Sequence, residues 1–73
     1  MEIVFSRHAR RRMKWRNLNP EEIIETVQSP EKVEDTIYGR KNAYKKIGLK
    51  FLKVTYIEEK SRIVIISAVD KNK

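Results

Sequence analysis

A helix fenced at both ends is the strongest constraint in this chain. Asn19 offers a side-chain acceptor at an N-cap, Pro20 fits the first helical position, and Glu22 stands where a capping box needs an acid. Glu21 and Glu22 also suit the positive end of the helix dipole. Ile23, Ile24 and Val27 supply an apolar stripe. Ser29-Pro30 closes the segment, because a residue before proline avoids helical dihedrals. Any fold of this chain must therefore seat a short helix with an acidic outer side.

The flanking segments read differently. Met1–Phe5 is apolar and β-prone and is predicted to form a brief first strand. Ser6 suits an N-cap, and RHARRRMKWR follows without Gly, Pro or a β-branched residue, which predicts a second helix ahead of the fenced one. Its buried stripe would run through Ala9 and Met13, four apart. Trp15 lies beside that stripe, where it would be a base-stacking platform or, as is more usual for a tryptophan on an amphipathic helix, partly core. From Lys32 onward the texture is β: Lys32–Tyr38, a turn at Gly39-Arg40, then Lys41–Ile47, Lys50–Ile57 and Arg62–Val69, with a frayed tail over Asp70–Lys73. Arg62–Val69 is the most apolar run and is expected in the interior of a sheet. The order of elements makes this an α+β chain with one domain over residues 1–73.

Charge is sorted along the chain. The net +7 arises from +5 over residues 1–18, −5 over 19–37, +6 over 38–53 and +1 over 54–73. Two basic blocks flanking an acidic one indicate a polyanion footprint, with RNA as the expected partner and an acidic protein as the alternative. There is no cysteine, which excludes disulfides and cysteine zinc sites, and a single histidine does not make a structural metal site. No cofactor fingerprint is present: no Walker loop, no dinucleotide glycine pattern, no nucleophile elbow. No apolar run reaches the length of a membrane span, so the default location is the cytoplasm and no membrane partner is expected.

Two surfaces carry the functional expectation. With Gly48-Leu49 as a two-residue turn, directly opposed residues share a face. Ala43, Ile47, Leu52, Val54 and Tyr56 would face the helices. Arg40, Asn42, Tyr44, Lys46, Phe51, Lys53 and Thr55 would form a basic face interleaved with aromatics, suited to stacking bases and gripping phosphates. A slip of one residue would exchange the two faces. On the first helix, His8, Arg12 and Arg16 recur every four residues. The arginines would clamp phosphate oxygens, with Arg11 adding charge, and His8 would accept a proton from a ribose hydroxyl. The alternative is structural: His8, Arg12 and Arg16 would tie the helices to each other and to the sheet, with the arginines pairing with Glu21, Glu22 and Glu25 of the next helix.

The run Ser6-x-His8-Ala9-x-x-Arg12-Met13-x-x-Arg16, then Asn19-Pro20-Glu21-Glu22 and Ser29-Pro30, resembles the family called domain of unknown function 4258. That resemblance implies a fold like RelE-type toxins and small bacterial ribonucleases, in which two helices pack on one face of a four-stranded antiparallel β-meander after a short N-terminal strand. It implies a metal-independent endoribonuclease, the toxin of a toxin–antitoxin pair with an acidic antitoxin as partner. His8, Arg12 and Arg16 would then be its signature site residues. The departure is that His8 is alone. A second proton-transfer group would come from Lys46, Tyr44 or Tyr56, with nothing selecting among them, and the last strand carries no basic residue between Arg62 and Lys71. The expected catalytic set is His8, Arg12, Arg16 and Lys46, and the expected nucleic-acid contacts are Arg11, Arg40, Tyr44, Phe51 and Lys53. A non-catalytic basic binding module is the alternative to cleavage.

Overall fold

The computed structural model describes residues 2–72. Met1 and Lys73, which belong to the expected first strand and tail, lie outside the described residues. Strand β1 (Glu2–Phe5) leads into helices α1 (Arg7–Arg16) and α2 (Pro20–Gln28). Strands β2 (Lys32–Asp35), β3 (Arg40–Ile47), β4 (Lys50–Glu58) and β5 (Arg62–Asp70) follow. The sheet order is β1-β5-β4-β3-β2.

The expected four-stranded antiparallel meander is corrected by the place of β1. It joins the sheet as a fifth strand, parallel to β5, with Ile3 opposite Ile63 and Val4 opposite Val64. A parallel neighbour needs a long connection: the two helices carry the chain from β1 at one edge to β2 at the other, and β2, β3 and β4 lead it back to β5 beside β1. The sheet is therefore mixed, with β4 at its centre and β5 one place away.

Each helix end is built from what the sequence offers there. Ser6 Oγ accepts the Ala9 N–H at 3.0 Å, and the Ser6 N–H donates to the Ile65 carbonyl at 3.0 Å. One serine thus caps α1 and pins it to β5. Asn17 ends α1 in the left-handed region (φ 54°), and the Leu18 N–H reaches back to the Met13 carbonyl at 2.9 Å. In α2, Asn19 Oδ1 accepts the Glu21 N–H at 2.9 Å and the Glu22 carboxylate accepts the Asn19 N–H at 3.4 Å. Strand β2 is shorter than expected. It yields at Ile37–Gly39 to a tight turn in which Tyr38 and Gly39 both have positive φ, 62° and 72°.

The core lies between the helices and one face of the sheet. Ala9, Met13, Leu18, Ile23 and Val27 meet Ala43, Leu52, Val54, Tyr56, Ile65 and Ala68, with Ile3, Phe5, Ile47 and Ile63 at the margin. The β3–β4 register is the one that a Gly48-Leu49 turn dictates, with Ala43 opposite Val54 and Ile47 opposite Lys50. On β5 the alternation breaks. Thr55 pairs with Ser67 and Tyr56 with Ile65, so Ile66 is an extra residue. That bulge lets Ile65 and Ala68, three apart, both reach the core. No helix among the described residues is long and apolar enough to cross a membrane.

Replacing Asn19 by Ala removes the cap of α2 and is expected to cost about 1 kcal/mol. The melting temperature should fall by roughly 4–8 °C for a domain this small. Ile23→Ala, which empties a fully buried site, should cost about 2–5 kcal/mol in urea unfolding.

Candidate nucleic-acid interface

Helix arithmetic sorts the ten residues of α1. At about 100° per residue, Ala9 and Met13 define the buried direction, and both are buried. Steps of four residues drift by about 40° around the axis, so His8, Arg12 and Arg16 do not form a straight row. His8 is exposed, Arg12 is intermediate, and Arg16 has turned toward the sheet, where Nη1 donates to the Ala68 carbonyl at 2.8 Å. Arg16 is thus placed as a tie between the end of α1 and β5, apart from the other two.

What the helix does bring together is His8, Arg11, Arg12 and Trp15, which line a hollow of about 210 Å³. Trp15 is 83 % exposed, contrary to the expectation that it would be partly core. The same arithmetic explains why: Trp15 lies about 140° from the buried direction, between the angular positions of His8 and Arg11. The expected pairing of these arginines with α2 is also absent among the described residues. Glu22 binds Lys50 at 2.9 Å and Glu25 lies 3.8 Å from Lys45.

The second surface is the side of the sheet that no helix covers. Tyr44 and Phe51 lie diagonally across β3 and β4 with ring centroids 5.9 Å apart and planes 24° off parallel. Lys53 stands opposite Tyr44, and Lys46 opposite Phe51. Lys32 on β2 and Lys71 beyond β5 bring their ammonium groups to 5.7 and 5.9 Å from the Tyr44 ring. Arg40 is exposed at the start of β3, opposite Ile57. Beside it, Asn42 accepts from Thr55 at 2.7 Å.

Two features hold this platform. The Tyr44 hydroxyl donates to Glu34, which raises the phenol above its ordinary value and lowers the carboxyl of Glu34. The C-terminal tail is not frayed as far as Asn72. Phe51 N–H and Asn72 N–H both donate to Asp70 Oδ1, at 3.1 and 3.0 Å, and the Asn72 amide donates to the Leu49 carbonyl at 2.8 Å. The tail is thereby clasped to the β3–β4 turn, which puts Lys71 over the ring.

The two surfaces lie on opposite sides of the sheet. Lys46 and Tyr44 point away from α1, so the structure does not bring either to His8. Tyr56 is on the helix side but buried, and burial pushes its phenol up. The charged groups that act on it are Glu58, Lys41 and Asp35, none on α1. Among the described residues no group of three or more His, Asp or Glu side chains is placed to hold a metal ion.

A model of the family DUF4258, a domain of unknown function, matches residues 5–70. The chain belongs to this family. No curated protein and no solved structure matches it. In this DUF4258 chain most of the run Ser6-x-His8-Ala9-x-x-Arg12-Met13-x-x-Arg16 does structural work: Ser6 caps, Ala9 and Met13 pack, and Arg16 ties. His8 and Arg12 are left lining the hollow. Sequence reasoning passed over Lys32 and Lys71, and it ranked Trp15 as partly core ahead of a base-stacking platform. Trp15 was recoverable from its angle on the helix, and Lys32 from the β2–β3 register. Lys71 was not recoverable, since its place depends on the bulge at Ile66 and the clasp of the tail.

Arg16→Ala should cost about 1–2 kcal/mol, the lower part of the range for a charged donor because the guanidinium is only half-buried. It should lower the melting temperature. The Tyr44–Glu34 bond has a defined pH window. The raised phenol contributes stability that is complete below its ordinary value of 10.0 and lost as pH rises through the higher folded value. The lowered carboxyl contributes stability that is present above 4.5 and lost as pH falls through the lower folded value. The stability difference between wild type and Tyr44→Phe, measured by urea unfolding across pH, should be widest between these limits and shrink at both ends.

Proposed function

We propose that this protein binds single-stranded RNA. The observation that carries the reading is the Tyr44–Phe51 stack on an uncovered sheet face, with Lys32, Lys46, Lys53 and Lys71 around it. Aromatic rings at a sheet surface accept unstacked bases, while ammonium groups neutralise the phosphates between them. The net charge of +7 supplies long-range attraction for the same partner. An acidic protein would meet the lysines equally well but has no need of two stacked rings. In a toxin–antitoxin setting, an acidic antitoxin segment would compete with RNA for those lysines.

A second reading, cleavage of the bound RNA without a metal, draws on the hollow of α1, where an imidazole lies beside two guanidiniums. His8 would take the proton of a ribose 2′-hydroxyl as that oxygen attacks the adjacent phosphorus. Arg11 and Arg12 would neutralise the phosphoryl oxygens, and the departing 5′ oxygen would take its proton from water. The products are a 2′,3′-cyclic phosphate and a 5′-hydroxyl. In this version Arg16 holds the helix and Lys46 contacts a phosphate.

Binding of a short single-stranded RNA should weaken linearly on a log–log plot of affinity against salt. Lys53→Ala should reduce that slope by about one, and Tyr44→Ala or Phe51→Ala should weaken binding roughly 5- to 100-fold at unchanged slope. Equal retention of RNA and inorganic polyphosphate, with no effect of the aromatic substitutions, would count against the reading. For cleavage, incubation with chelator should leave cyclic phosphate ends, and His8→Ala should remove cleavage while sparing binding.

A further inference from the structure

An exposed tryptophan is costly in a chain this short. Burying an indole removes about 150–250 Å² from water, and α1 leaves that contribution unused at Trp15. The surroundings of the ring are equally unbalanced. Helix α1 contains no acid, and none of the ion pairs among the described residues involves an α1 side chain. The lysines at positions 41, 45 and 50 do have carboxylate partners. An apolar ring and two guanidiniums without carboxylate partners therefore share one hollow, with an imidazole at its end.

We infer that this hollow is a subsite for one nucleotide of single-stranded RNA, with the base stacked on Trp15 and its phosphate held by Arg11 and Arg12. The inference rests on the RNA reading above but names a second contact, across the sheet from the Tyr44–Phe51 platform. Arg11 and Trp15 are separated by about 6 Å along the helix axis, so one nucleotide spans from guanidinium to ring. A guanidinium pairs with phosphate oxygens in a forked geometry that an ammonium lacks. A base can lie on the indole only if it is free of its own helix, so duplex RNA is excluded from the site. His8 lies on the same side and meets the ribose. The subsite needs no catalysis, and it would give an RNA that passes around the edge of the sheet two separate grips.

Trp15 is the single tryptophan of the chain, so all of the indole fluorescence reports on this hollow. Titration of the full chain with a short single-stranded oligoribonucleotide should quench that emission. The same quench should persist in Tyr44→Ala/Phe51→Ala, with a weaker midpoint. An abasic ribose-phosphate oligomer and a duplex of equal length should bind with little quench. Arg11→Ala/Arg12→Ala should shift the quench midpoint at least about 10-fold. Trp15→Leu should weaken RNA retention roughly 5- to 100-fold with an unchanged melting temperature, because the ring packs on little. RNA retained on a filter without quench overturns the subsite and leaves the sheet platform standing. No retention by the wild type overturns the RNA reading itself. An equal quench by a polyglutamate peptide overturns the nucleotide assignment in favour of an acidic protein segment.

Discussion

Two helices of ten and nine residues must cover a five-stranded sheet, and they suffice for one side of it. Everything else in the molecule follows from that shortage. The covered side takes the apolar residues of β3, β4 and β5 into a single core with Ala9, Met13, Ile23 and Val27. The uncovered side has to live in water, which it does with lysines, hydrogen-bonded Asn42 and Thr55, and aromatic rings stacked on one another. The helices themselves are thin. Each buries one stripe, and the remainder of each is surface.

That remainder is divided by charge. Helix α2 turns its acids toward the β3–β4 hairpin beneath it, where Glu22 and Glu25 meet Lys50 and Lys45. Lysines that would otherwise crowd the helix side of the sheet are neutralised there. Helix α1, packed over β5, makes no ion pair with a carboxylate among the described residues. The acidic block is partly used up at the hairpin, and its Glu34 sits on the uncovered sheet face, bonded to Tyr44 and 3.9 Å from Lys32, so one carboxylate lies among the lysines of the platform.

The fenced helix was legible in the sequence because capping and proline chemistry act within a few residues. The β3–β4 register was legible because a two-residue turn with glycine first leaves one pairing. The order of strands was less so. Val4 finds Val64 only after two helices and three further strands, and nothing local to residues 2–5 states which strand will be the neighbour or in which direction. The site divided along the same line. Tyr44, Phe51 and Lys53 share a face by alternation alone, whereas grouping Arg16 with His8 treated a four-residue spacing as a straight row. The helix turns through about a full circle and a ninth over that spacing, and a drift repeated twice carried Arg16 to the sheet. The bulge at Ile66 adds a residue without any sequence mark, and the position of Lys71 depends on it.

The pairing of β1 with β5 also sets when the fold can form. Ser6 donates to a carbonyl sixty residues further along the chain, so the joint that seats α1 closes a loop of that length. Contacts of such separation pay their loop entropy before any reward and make folding slow for the size of the domain. On a translating ribosome, the basic helix emerges early and waits for the last strand to be synthesised. Until β5 arrives, α1 lacks the strand that it packs on, and its cap at Ser6 lacks the carbonyl that pins it.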